Sequence, residues 1–211
     1  MTSPFSLDAP HLPLVAILRG LTPDRAAEVG RILYANGFRL LEVPLNRDGA
    51  LEAIATMVRT LPADAWIGAG TVLRPEQVGE VAEVGGRLIV SPNTHPPVLA
   101  AARERGMWTL PGVATPTEAF NALAAGAHAL KLFPAEVLAP AVVKTWSNVL
   151  PPGTAMYPVG SVDGPGFAAY RAAGAAGIGL GSALFKPEYD DAELARRASR
   201  LAQAWHGAGS A

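Results

Sequence analysis

A lysine interrupts a short apolar run, Ala127-His128-Ala129-Leu130-Lys131-Leu132-Phe133-Pro134, which follows Gly126 and ends in proline. Brief apolar stretches bounded in this way read as buried strands. Lysine rarely stays buried as an ammonium, because stripping that charge of water is unfavourable. The usual relief is a depressed pKa, which leaves a free amine near neutral pH. A free amine in a dry pocket attacks a carbonyl carbon and forms a Schiff base. Lys131 is therefore a candidate nucleophile. The competing reading is a lysine that snorkels to the surface or pairs with a carboxylate.

Two further charges stand in apolar runs, Glu42 in Leu40-Leu41-Glu42-Val43 and Arg19 after Ala16-Ile17-Leu18. A glutamate beside an imine-forming lysine suits general acid/base work, and an arginine suits an anionic substrate group as a bidentate donor. The alternative for Lys131 and Glu42 is an internal salt bridge, although buried pairs are weak stabilisers once desolvation is counted. Two glycine-serine stretches, Val159-Gly160-Ser161 and Gly179-Leu180-Gly181-Ser182, have the backbone access and donors that phosphate needs. Each could also be a plain tight turn. Thr71, after Gly68-Ala69-Gly70, offers a hydroxyl for a substrate carboxylate or simply follows a barrel-lining glycine pair. Pro92 shapes the wall beside it. The four histidines show no paired spacing, so no metal is expected.

The elements that must position these residues alternate. Strands are predicted at 14–18, 39–43, 66–70, 87–90, 107–110, around Lys131, at 155–159 and at 177–180. Helices follow each: one capped by Thr22-Pro23 and stopped at Gly37, then 49–61, 75–85, 96–106, 115–126 with a capping box at Thr115 and Glu118, 139–150, 163–173 and 191–205. Strand–helix alternation demands a parallel sheet with right-handed crossovers. About eight units close most naturally into a (β/α)8 TIM barrel, an α/β fold. An open doubly wound sheet is the rival, but Arg19-Gly20-Leu21-Thr22 is a poor phosphate loop. Side chains alternate along a strand, so Ile17, Arg19, Leu40, Glu42, Ala129, Lys131 and Phe133 share the inward face. The three charges then meet at the C-terminal strand ends, where barrel enzymes work.

Composition bounds the function. A chain of 211 residues with 50% hydrophobic and 17% charged residues supports one well-buried domain, 13–211, after a leader at 1–12 lying on the surface. A net charge of -1 gives no case for nucleic acid or an anionic membrane. There are no cysteines, hence no disulfides or thiolate chemistry, which fits a cytoplasmic setting. No signal peptide or membrane span is read.

Taken together, Ala16-Ile17-Leu18-Arg19-Gly20, Leu41-Glu42-Val43-Pro44-Leu45-Asn46, Ile67-Gly68-Ala69-Gly70-Thr71-Val72-Leu73, Ser91-Pro92-Asn93, Leu110-Pro111-Gly112-Val113-Ala114-Thr115, Leu130-Lys131-Leu132-Phe133-Pro134 and Gly181-Ser182 resemble the bacterial 2-keto-3-deoxy-6-phospho sugar acid aldolases. The resemblance spans nearly the whole chain. It implies a class I, lysine-dependent barrel enzyme without a cofactor, releasing pyruvate and glyceraldehyde 3-phosphate from a phosphorylated keto acid. It implies Lys131 as Schiff base, Glu42 as proton shuttle, Arg19 and Thr71 at the acid end, phosphate at Gly160, Ser161, Gly181 and Ser182, and a homotrimer. Pro44-Leu45-Asn46 and Val159 resemble the galactonate-type branch rather than the gluconate-type, and a valine cannot hydrogen-bond a C4 hydroxyl. Ser161 departs from the family's usual second glycine, and Arg47 departs from the galactonate pattern. The gluconate epimer as substrate, a phosphosugar isomerase or epimerase using Glu42 as base, and a non-catalytic phosphate-binding barrel are the alternatives.

Overall fold

Proline sets where many of the helices start. The residue lacks an N–H and has a fixed φ, which suits the first turn. Helices α1 (Pro23–Ala35), α3 (Pro75–Glu83), α4 (Pro96–Glu104), α5 (Pro116–Ala124) and α6 (Pro140–Trp146) all begin on one. The expected capping box is present at α5: Glu118 N–H donates to Thr115 Oγ1 at 3.3 Å, and Thr115 N–H donates back to Glu118 Oε2 at 2.9 Å. Helices α2 (Ala50–Thr60), α7 (Phe167–Ala172) and α8 (Asp191–Gly207) complete the outer layer. This computed structural model describes residues 3–6 and 8–208.

The strands between the helices are β1 (Leu12–Ile17), β2 (Phe38–Pro44), β3 (Trp66–Gly70), β4 (Leu88–Val90), β5 (Trp108–Leu110), β6 (Gly112–Val113), β7 (Leu130–Leu132), β8 (Met156–Pro158) and β9 (Ile178–Leu180). Every ladder between them is parallel. The expected alternation of faces holds. Leu41, Val43, Leu130 and Leu132 join the core beneath the helices. Val15, Leu40, Leu88, Val90, Leu110, Ala129 and Tyr157 form a second core on the concave side of the curled sheet.

Two features of the sheet go beyond the sequence reading, and one expectation needs correction. The fifth strand expected at 107–110 is present as β5, and a further short strand, β6, follows it across Pro111. Pro111 has no N–H to give to a ladder, so β5 and β6 flank it, although its carbonyl still accepts from Lys131 N–H at 2.9 Å. The ladders fall into two sheets, β5-β4-β3-β2-β1-β9 and β6-β7-β8. The established architecture is an α/β fold with a curled parallel sheet in two sections. An isolated bridge from Val159 to Gly179 touches both.

The correction concerns the leader. Within the stretch 1–12, residues 1, 2 and 7 lie outside the described set. Phe5 does not lie on the surface: it is fully buried, with its ring edge-on to Tyr157 at 5.4 Å between centroids. The sequence around it offers no periodicity from which to read an anchor. Truncating a buried phenylalanine removes transfer energy and leaves a cavity, typically about 3–5 kcal/mol. Phe5→Ala is expected to lower unfolding free energy by about 3 kcal/mol in urea denaturation. A loss under about 0.5 kcal/mol, as at a surface position, would mean that this ring does not plug the sheet.

Candidate active site

All eleven residues singled out from the sequence lie at or just beyond the C-terminal ends of strands. Lys131 is in β7, flanked in register by Gly112 and Tyr157. Glu42 is in β2, opposite Ile17 of β1, and Arg19 comes two residues after Ile17. Thr71 follows β3, Pro92 follows β4, Phe133 follows β7, Val159-Gly160-Ser161 follow β8, and Gly181-Ser182 follow β9. The structure brings all of them to one cavity of about 340 Å³, lined by Arg19, Glu42, Thr71, Pro92, Lys131, Phe133, Val159, Gly160, Ser161, Gly181 and Ser182.

The floor of this cavity is dry. Glu42 is 1% exposed and Lys131 8% exposed. Burial pushes the Glu42 carboxyl up to about 7, while the positive charges of Lys131 and then Arg19 pull it down. Burial also lowers the Lys131 amine from its usual range; Glu42 opposes that shift and Arg19 adds to it. The ion pairs among the described residues include neither group. The Oε2 atom of Glu42 has no hydrogen-bond partner, and a Cβ on Gly70 would run into this carboxylate. Glycine at 70 is thus what lets the carboxylate lie flat on β3. The Lys131 Nζ stands 5.0 Å from the centre of the Phe133 ring. These two groups can exchange protons with a bound carbonyl compound without first breaking a salt bridge between them.

Next to them the backbone is strained. Thr71 has φ of 56°, and it is the one non-glycine with positive φ among the described residues. A β-branched residue there costs about 1–3 kcal/mol, which persists only where the surroundings enforce it. Val72 N–H donating to the Val90 carbonyl at 3.2 Å is one restraint. At Pro92 the turn is held by Ser91 Oγ donating to the Asn93 carbonyl at 2.8 Å.

At the other end, Ser161 gives both its N–H (2.8 Å) and its hydroxyl (2.7 Å) to Glu136 Oε1. Gly181 faces no packed neighbour: a Cβ there would meet nothing within 4 Å. Sequence reading did not select Glu136, Phe185, Lys186 and Pro187, which also line the cavity. The rule that sites sit past strand ends could have found Lys186, six residues beyond β9. The same rule reaches Glu136, four residues beyond β7. Among the described residues no three His, Cys, Asp or Glu side chains are grouped to hold a metal.

Residues 9–197 match the family described as "Aldolase: KDPG and KHG aldolase". The probable 2-dehydro-3-deoxy-6-phosphogalactonate aldolase of Rhizobium meliloti (strain 1021) is 48% identical over 88% of each chain. The 2-dehydro-3-deoxy-6-phosphogalactonate aldolase of Escherichia coli (strain K12) is 45% identical over 93% of this chain and 96% of its own. A solved structure named "Native KDPGal structure" superposes with a TM-score of 0.92 at 42% identity, covering 95% of this chain and 97% of that one.

The Glu42 carboxyl yields a stability prediction. A carboxyl raised from 4.5 to about 7 by folding binds its proton more tightly in the folded state. Its favourable contribution is fully present below the unfolded pKa and is lost as pH rises through the folded one. Relative to Glu42→Gln, the unsubstituted protein should lose on the order of 3 kcal/mol of unfolding free energy as pH rises from below 4.5 to above 7. Urea titrations of both proteins across that range check it; a pH-independent difference would mean that Glu42 titrates normally.

Proposed function

The chain belongs to the KDPG and KHG aldolase family, and we propose that it cleaves 2-dehydro-3-deoxy-6-phosphogalactonate to pyruvate and D-glyceraldehyde 3-phosphate by a Schiff-base mechanism. The single observation that carries the mechanism is the burial of Lys131 and Glu42 in one cavity without an ion pair between them. The lowered lysine can supply an unprotonated amine, which adds to the C2 ketone. Glu42, poised near neutrality, hands a proton to the departing hydroxyl, and water leaves as the iminium forms. Glu42 then takes the C4 hydroxyl proton while the C3–C4 bond breaks. The bonding pair flows into the iminium to give an enamine, and glyceraldehyde 3-phosphate is released. Protonation of the enamine carbon and addition of water free pyruvate and regenerate the amine.

The remaining lining residues are assigned by chemistry. Arg19 and Thr71 suit the carboxylate end, Pro92 and Phe133 the apolar wall, and Gly160, Ser161, Gly181 and Ser182 the phosphate. Lys186 adds a cation on the phosphate side. Val159 lacks a hydrogen-bonding group for the C4 hydroxyl, which supports the galacto over the gluco epimer.

For the fold, we infer that the two sheets act as one closed ring. Pro111 alone separates β5 from β6, and the bridge from Val159 to Gly179 joins β8 to β9. The domain assignment, 13–211 with an anchored leader, follows from that ring. A homotrimer is the assembly that the family resemblance supports, and exposed Leu73 and Phe120 supply apolar surface for contacts. None of the helices is long and apolar enough to cross a membrane among the described residues. A phosphorylated substrate, which does not cross a bilayer unaided, favours the cytoplasm.

Incubation with pyruvate and borohydride followed by mass spectrometry should place a reduced pyruvyl adduct on Lys131. Lys131→Ala should lose both adduct and turnover. An isomerase using Glu42 as base would turn over substrate with no adduct. Glu42→Gln is expected to reduce kcat by roughly 10²–10⁴. With both C4 epimers as substrates, kcat/KM should be higher for the galacto form; parity or gluco preference would overturn the role given to Val159 and leave the aldolase reading standing.

A further inference from the structure

The loop after β8 aims its donors at an anion that belongs to the same chain. Ser161 bonds Glu136 Oε1 from amide and hydroxyl, at 2.8 and 2.7 Å. The second carboxylate oxygen lies so close to Gly160 that a side chain there would strike it. These hydrogen bonds hold Glu136 below the usual carboxylate range, so it is charged at neutral pH. Among the described residues no salt bridge neutralises it. Glu136, Gly160 and Ser161 all line the cavity that contains Lys131.

We propose that Glu136 is a built-in competitor for the substrate's terminal phosphate, and that it thereby sets how far this site prefers a phosphorylated chain end to a bare hydroxyl. The proposal rests on the reading of Gly160 and Ser161 as phosphate ligands. An amide N–H carries one hydrogen and serves one anion well at a time. A phosphate arriving at Ser161 must displace the carboxylate, and like charges at that range repel. Glu136 is exposed and has rotatable bonds enough to swing outward. An unphosphorylated end behaves in the opposite way: its hydroxyl donates to a carboxylate oxygen and gains from Glu136. The Ser161 hydroxyl deepens the effect, because it adds a second bond to Glu136 that a glycine in that position would not make.

Calorimetric titration of the full-length protein with inorganic phosphate tests this directly. Glu136→Ala should bind phosphate roughly three- to tenfold more tightly than the unsubstituted protein. Glu136→Gln, which removes charge but keeps an acceptor, should fall between them. In condensation with pyruvate, the KM for glyceraldehyde 3-phosphate should fall relative to that for glyceraldehyde in both variants. Unchanged or weaker phosphate binding in both would identify the carboxylate as a strut that holds the loop, and would overturn the proposal. Lack of phosphate binding in all three proteins would overturn it together with the phosphate assignment. Because the titration contains no pyruvate, the borohydride adduct at Lys131 reports separately on the aldolase chemistry.

Discussion

Desolvation of an amine and a carboxyl in one cavity is the constraint on which the rest of the site depends. For both Glu42 and Lys131, burial is the larger influence and mutual attraction the smaller. The order matters. If attraction won, the pair would lock as ammonium and carboxylate, the amine would be unable to attack, and the acid would have no proton to give. A close ion pair would bring that about, since Coulomb energy grows as separation shrinks. The arrangement avoids it: each group moves toward its neutral form while staying near enough to feel the other. Arg19 tilts the balance further, lowering both groups because it repels a charged lysine and steadies a charged glutamate.

Such a pair can be held only by rigid neighbours. Parallel strands supply them, because all C-terminal ends open on one side and each strand contributes one or two side chains there. Beneath the pair, the concave face is filled by Val15, Leu40, Leu88, Val90 and Leu110, with Tyr157 and Phe5 beside them. This packing denies water access from below. On β3, Gly70 yields its side-chain volume to the Glu42 carboxylate, and Thr71 immediately after it takes a backbone conformation that threonine disfavours. Gly70 thus yields its side chain to the placement of the acid, and strain sits at the very next residue.

Much of this was legible in the residues themselves. Lys131 and Glu42 stand out because charge inside an apolar strand is rare, Arg19 because it follows such a strand at the inward period, and the two-residue period of a strand then assigns their direction. The glycine-serine loops stand out because close backbone approach needs glycine. What was not legible has physical causes as well. The two-residue strand β6 beyond Pro111 was not legible, because it shows no period of its own and is defined only by its pairing with β7. Phe5 sits in a leader without pattern, and burial by a long-range contact leaves no periodic trace. Glu136 and Lys186 lie in loops past strand ends, a position that marks them as candidates, but spacing within a loop does not say which side chain reaches the cavity.

The two ends of the cavity obey different rules, and this difference organises the chemistry. At the floor, Glu42 and Lys131 are almost wholly buried, so proton affinities there are set by the protein and change little with the solvent. At the rim, Ser161, Ser182 and Glu136 are exposed, and charges there are screened and mobile. Bond breaking needs the first environment, because an iminium draws electrons best when water does not compete to stabilise the ground state. Release of a phosphorylated product needs the second. A dianion seated in a dry, fully satisfied nest would leave slowly, and turnover would wait on it. On the proposed reading, a carboxylate that can return to Ser161 gives its amide and hydroxyl a charged partner again as a phosphate departs. If Ser161 is a phosphate ligand as proposed, the contact that weakens binding also eases release, which is a coherent reason to keep an acid where the substrate carries negative charge.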